Sequence, residues 1–163
     1  MSEGASRRPI WVLATVVVLL AAVAGWLVVQ EREAQARLDD RQAARLAAGS
    51  HAVSLLSLNH RTVDADMHNI LATSTGAARA GYVAGARRLK DTTRANKVVQ
   101  EGVLRAAGLV SLSGGTAKAL VVADVEIRWD DSGKPPQERF YRWAMDLTKV
   151  EGVWLVSKAV QVP

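Results

Sequence analysis

The sequence predicts an α+β protein: one membrane-spanning helix, a helical stretch after it, and an antiparallel sheet that closes the chain. Three observations predict this. Residues 10–29, IWVLATVVVLLAAVAGWLVV, run twenty positions without a charge. Apolar residues between Val53 and Ala95 recur mostly at helical spacing. Ala117, Ala119, Val121, Ala123, Val125, Ile127 and Trp129 then alternate with Lys118, Asp124, Glu126 and Arg128, the period of a half-buried strand. Helices followed by strands, rather than interleaved with them, define the α+β class.

The Ile10–Val29 run holds twelve Val, Leu or Ile residues. At about 1.5 Å per residue it spans roughly 30 Å, the thickness of the hydrocarbon core, and its insertion gains about 4 to 7 kcal/mol. Trp11 and Trp26 lie near its ends, where indoles favour the interface. Arg7 and Arg8 precede it and Glu31, Arg32 and Glu33 follow it, so the positive-inside rule puts residues 1–9 in the cytoplasm and the rest outside. A cleaved signal peptide is the rival reading, because Ala22-Val23-Ala24 fits a cleavage site. The apolar run continues through Val29, longer than such a signal needs, so an uncleaved anchor is expected.

Residues 30–50 read as a solvated helical stalk, rich in Ala, Arg, Glu and Gln, with a Glu33–Arg37 pair. Leu38 and Leu46 give it a thin apolar edge for pairing with a second copy, without a sustained heptad. Gly49-Ser50 is expected to loosen the helix before an extracytoplasmic domain over 51–163. Thr62 reads as an N-cap, with Asp64 and Asp66 at the positive helix end and Val63, Met67, Ile70 and Leu71 as its apolar stripe. Ser74-Thr75-Gly76 breaks the pattern, and a further helix to about Ala95 is expected to bury Tyr82, Ala86 and Leu89. The first strand begins near Val98, with bulges or bends expected at Gly102 and Gly108. The Ser113-Gly114-Gly115 turn, the Asp130–Pro136 loop and the Glu151-Gly152 tight turn separate the second strand, a third over Arg139–Val150 and a fourth over Val153–Val162. The sheet thus has about four strands packed on helices.

Composition narrows the function. With no cysteine, disulfides, thiolate metal sites and cysteine nucleophiles are excluded. The net charge is +5, nearly all of it after residue 29. The basic residues are not interleaved with aromatics, and the outer location suits lipid headgroups better than nucleic acid.

Four constellations carry candidate chemistry. His60, Asp64 and His68 have i, i+4, i+8 spacing, so one helix face holds two imidazoles and a carboxylate; a solvated polar face is the ordinary alternative, and no metal is expected. Asp64 and Asp66 diverge on a helix, which suits a helix N-terminus better than catalysis. Arg87, Arg88, Lys90 and Arg94 form a basic stretch, read as a headgroup or partner surface or as a solvated face. Tyr82, Trp129, Trp143 and Trp154 either line an apolar pocket or fill the core. Serines are not placed beside a histidine, Gly114-Gly115 reads as a turn, and neither catalysis nor a cofactor is expected.

Order and spacing resemble the Mce-associated membrane proteins of actinobacteria, which accompany mammalian cell entry (Mce) lipid-import systems. The resemblance covers nearly the whole chain: a short basic N-terminus, one membrane helix, an Ala/Arg-rich stalk, Leu55-Leu56, the Thr62-Val63-Asp64-Ala65-Asp66 helix, Thr75-Gly76 before the Tyr82 helix, and the closing Glu151-Gly152-Val153-Trp154-Leu155-Val156-Ser157. The chain departs from the family's pattern after Thr75-Gly76, where Ala77, Ala78 and Arg79 stand in place of an aromatic. The resemblance implies a nuclear transport factor 2-like fold with a curved antiparallel sheet. It also implies a non-enzymatic accessory role beside Mce transporter proteins and membrane lipids. An extracytoplasmic lipid-binding module and an assembly scaffold of another envelope machine, such as a type IV secretion system, are the alternatives.

Overall fold

A computed structural model describes residues 7–162, with side chains described from Val16 onward apart from position 18. The elements run α1 (Arg7–Leu56), α2 (Val63–Ala72), α3 (Gly76–Ala95), β1 (Val98–Ser113), β2 (Thr116–Trp129), β3 (Gln137–Val150) and β4 (Val153–Gln161). The chain divides into two compact units at Asp40/Arg41.

In the first unit, α1 exposes Val16, Val17, Leu19, Leu20, Val23, Trp26, Leu27, Val28 and Val29. Further along, Glu33 pairs with Arg37 at 3.5 Å and the Gln35 amide donates to Asp39 at 3.0 Å. The predicted Ile10–Val29 span lies partly outside the described residues, since the side chains of 10–15 and 18 are not among them. Among the described residues no helix is long and apolar enough to cross a membrane.

The second unit is a four-stranded antiparallel meander, β1-β2-β3-β4, with helices on one face. The period-2 pattern of β2 buries Ala117, Ala119, Val121, Ala123, Val125 and Ile127, and register places Ala119 opposite Met145 and Val121 opposite Trp143. Leu147 and Val156 continue the inner face onto β4. Against it lie Ala44, Ala48, Ala52 and Leu56 of α1, spaced every fourth residue and therefore on one helix side. Small side chains let the helix approach the sheet closely, and all three alanines are completely buried.

That stripe alters two expectations. Residues 44 and 48, assigned by sequence to a solvated stalk, are core, and α1 runs through Gly49-Ser50 without a break. Gly49 is a contact point rather than a loosening: a Cβ there would stand 2.7 Å from Leu104 Cδ2. Gly102 works the same way from the sheet, since its Cβ would stand 2.6 Å from Leu56 Cβ and 3.2 Å from the Val53 carbonyl oxygen. The register shifts of β1 fall instead between Leu104 and Ala106 and between Leu109 and Ser111. The third strand starts at Gln137, two residues ahead of the predicted Arg139.

The turns follow their backbone chemistry. Glu151 (φ 50°) and Gly152 (φ 85°) both adopt the left-handed conformation that a two-residue type I′ hairpin requires. Helix α2 caps differently from a simple N-cap: the Thr62 hydroxyl donates to the Asp66 carboxylate at 3.0 Å, and that carboxylate also accepts the Asn59 amide at 2.9 Å. Between α2 and α3, Ser74 bridges to Val156, with Thr75 N–H donating to the Val156 carbonyl at 2.8 Å. On α3, Tyr82 and Ala86 are half-buried against Leu58, Met67 and Ile70, but Leu89 is exposed.

Candidate functional site

The tryptophans gather on the sheet. Trp143 and Trp154 are buried in the main cluster, and Trp129 is half-buried beside it. Tyr141 stacks on Trp143 with ring centroids 5.2 Å apart and planes 4° from parallel. The Lys149 ammonium lies over Trp154 at 5.8 Å and that of Lys134 over Trp129 at 5.7 Å. Tyr82 belongs to the smaller cluster with Leu58, Met67 and Ile70. The four residues therefore do not converge on one cavity; the space between sheet and helix is filled by the alanine stripe.

Sequence reasoning missed His51. It sits on α1, fully buried on the Ala48–Ala52 side of the helix. Its Nδ1 lies 2.7 Å from Thr73 Oγ1 and its Nε2 lies 3.1 Å from the Tyr82 hydroxyl. The Thr73 hydroxyl already donates to the Asn69 carbonyl at 3.0 Å, so it accepts from Nδ1–H. Nε2 is then the acceptor, and Tyr82 donates to it. One neutral imidazole thus ties α1 to the end of α2 and the middle of α3. Burial holds its pKa down to about 4 and pushes the Tyr82 phenol up. Both ring nitrogens are engaged, so the imidazole is a structural hub. The signal for it is its place on the helix side that carries Ala44, Ala48 and Ala52.

His60, Asp64 and His68 are not brought together. His60 precedes α2 and its Nε2 bonds Asp130 Oδ2 at 2.9 Å; Arg61 reaches the same oxygen at 2.8 Å. The His60 hydrogen bond and the Arg61 guanidinium hold the Asp130 carboxyl below the usual range. Next to it, Lys97 and Asp131 pair at 2.6 Å, lowering the Asp131 pKa and raising that of Lys97 through the same hydrogen bond. This cluster ties the α1–α2 connection to the start of β1 and the end of β2. Asp64 instead pairs with Lys90 at 3.0 Å and with Arg94, and the Lys90 hydrogen bond leads in lowering its pKa. His68 is exposed. Among the described residues no group of three or more His, Asp or Glu is arranged to hold a metal ion.

The basic stretch is partly neutralised by these contacts. Lys90 and Arg94 are shared with Asp64, and Arg87 lies 3.9 Å from Asp91. Arg87 and Arg88 line a shallow depression of about 400 Å³ with Ala84, Asp91 and Thr92. The outer sheet face carries another, of about 280 Å³, between Val103, Arg105, Asp124 and Phe140. Phe140 is 71% exposed there. Both depressions lie on the surface of the second unit.

Solved structures share this fold. The periplasmic domain of DotI superposes with a TM-score of 0.62 at 16% identity, over 75% of this chain and 94% of that one. An IcmL-like type IV secretion system protein from Legionella pneumophila gives 0.60 at 12%, over 76% and 94%. At these identities the likeness is one of fold: an α+β domain of the nuclear transport factor 2-like kind, helices ahead of a four-stranded meander. The chain belongs to the Rv1363c/MT1408-like family, whose profile matches residues 9–163. Within the curated proteins, "Uncharacterized protein Rv1363c" of Mycobacterium tuberculosis is 27% identical over 143 residues, 86% of this chain. The chain spans 54% of that relative's length.

Proposed function

We propose that this chain is a membrane-anchored, non-enzymatic scaffold subunit whose extracytoplasmic domain helps to assemble a machine of the cell envelope. The observation that carries the reading is the alanine stripe: Ala44, Ala48 and Ala52 pack on the inner face of the sheet and are completely buried there, which leaves the outer surfaces for recognition. Binding partners then meet the outer sheet face and the exposed side of α3. The same fold in the periplasmic domain of DotI and in a type IV secretion protein supports a scaffold role. The anchor is Ile10–Val29, with Arg7 and Arg8 on the cytoplasmic side.

An accessory role in Mce-type lipid or sterol transport is the second reading. The closing Gly152-Val153-Trp154-Leu155-Val156 run and the mycobacterial relative favour it. Its partners are Mce transporter proteins and membrane lipids.

Purification of the tagged full-length protein from its native membranes in mild detergent tests both. Secretion or other envelope-assembly components above an untagged control support the scaffold; Mce proteins, their permease or their ATPase support the second reading. A protein recovered alone with bound lipid, under conditions that keep a known envelope complex together, would overturn both in favour of a lipid-binding module.

A further inference from the structure

We propose that α3 docks the second unit onto an anionic lipid surface, with Arg79, Val83, Arg87, Lys90 and Arg94 as the contacting ridge. The inference rests on the anchored reading of the chain and divides its exposed surfaces: lipid on α3, protein partners on the outer sheet face.

The five residues stand at i, i+4, i+8, i+11 and i+15, so they share one side of the helix. The two ends of the ridge are held from α2: the Arg79 guanidinium donates to the Leu71 carbonyl, and Lys90 and Arg94 reach Asp64. Arg88 adds a further charge, exposed beside Arg87 in the depression of about 400 Å³. In all, α3 holds five Arg or Lys residues and one acidic residue, Asp91. Asp64 and Asp91 offset two of the five, and the rest stay in excess. At about fivefold in affinity per cation held near an anionic surface, that excess amounts to roughly a hundredfold.

The rest of the outward side of α3 is low. Ala77, Ala80, Gly81 and Ala84 are exposed and carry at most one side-chain carbon, so the arginines stand ahead of the backbone. A flat cationic face with only a shallow depression suits a uniform array of headgroups better than a shaped ligand. Val83, 55% exposed among the cations, suits the apolar boundary beneath those headgroups. An acidic protein segment shares the charge, but the bilayer is the anion already tethered to this chain. Only residues 30–40 separate the anchor at Ile10–Val29 from the second unit, which begins at Arg41. Such a tether makes docking intramolecular, so weak contacts suffice.

The chain contains no cysteine, so Ala84→Cys supplies a single thiol for an environment-sensitive nitrobenzoxadiazole dye. The labelled full-length protein is reconstituted in vesicles of phosphatidylcholine, alone or mixed with phosphatidylglycerol. In the mixed vesicles the A84C dye is expected to shift to the blue and to be quenched by lipid spin-labelled at the headgroup. In phosphatidylcholine alone it keeps the emission of a dye in water. Leu120→Cys on the outer sheet face, 51% exposed, should keep that emission in both. Arg87→Gln with Arg88→Gln, both at exposed positions, should lower the ratio of docked to free α3 about tenfold, and high salt should do the same to the parent chain. Three results would overturn the proposal: a water-like A84C dye in the mixed vesicles, equal docking on phosphatidylcholine alone, or docking that survives both salt and the double substitution. A dye that is shielded in native membranes yet water-like in the mixed vesicles would overturn it too, and would assign α3 to an acidic protein. Flotation in alkaline carbonate reads the anchor separately. Protein that floats with phosphatidylcholine vesicles is anchored whatever the dye shows; protein that does not must reach the mixed vesicles through α3 alone, where the same dye reads it.

Discussion

His51 shows how much one side chain can determine when it is buried among polar partners. Its folded pKa of about 4 lies below the ordinary 6.5, so the unfolded chain binds the extra proton across that window. Stability is therefore full above pH 6.5 and falls as pH drops toward 4. Between pH 7.5 and 5 the loss is about 2 kcal/mol. Denaturant unfolding of the full-length protein, followed by tryptophan fluorescence, should show that decline, and His51→Gln should flatten it. Tyr82→Phe leaves Nε2 without its donor in a buried site and should cost about 1 to 3 kcal/mol at pH 7.5 in the same measurement. The sequence held only part of this hub. The stripe position of His51 is readable from Ala44, Ala48 and Ala52, but Thr73 and Tyr82 lie 22 and 31 residues away and no local pattern links them.

At the scale of elements, the strands were the most readable part, because the alternation from Ala117 to Ile127 has one physical cause, a sheet wet on one side. The helices were less so. The alanine-rich stretch before Gly49 has the composition of a solvated stalk, and only its contact with the sheet makes it core. The glycines were misread for a related reason: a missing Cβ serves a turn, a bulge or a close approach equally well. The close approach at Gly102 meets Leu56 Cβ and a backbone oxygen, neither of which can swing away. Gly102→Ala should therefore destabilise by about 1 to 3 kcal/mol. At Gly49 the obstacle is the end of the Leu104 side chain, which can rotate, while alanine gains up to about 1 kcal/mol in a helix interior. Gly49→Ala should fall within about 1 kcal/mol of the parent, and paired thermal melts of the two variants check the contrast.

For the whole molecule, the class and order of elements were legible, and the candidate sites were not. His60, Asp64 and His68 look like one set along the sequence, yet His60 is satisfied by Asp130 and Asp64 by Lys90 and Arg94, all from other segments. The basic residues of α3 lose part of their apparent charge to the same pairing. The proposed anchor makes its own prediction: alkaline carbonate or high salt should leave the protein in the membrane pellet, and only detergent should release it, as fractionation and immunoblotting will show. Release by carbonate would contradict the anchor. The meander has one further consequence, for how the chain acquires its structure. Every strand pairs with its sequence neighbour, so the contact order of the sheet is low and hairpins can zip in turn as the chain emerges. The ties between helices and sheet reach further, and the longest of them named above, between Thr73, Thr75 and Val156, joins segments some eighty residues apart. A nascent chain delivered from its N-terminal end therefore makes the bond from the α2–α3 connection to the sheet only when β4 arrives. During that interval the part of the core that Trp154 and Val156 complete is exposed to chaperones and proteases, and the passage of Val156 marks when that exposure ends.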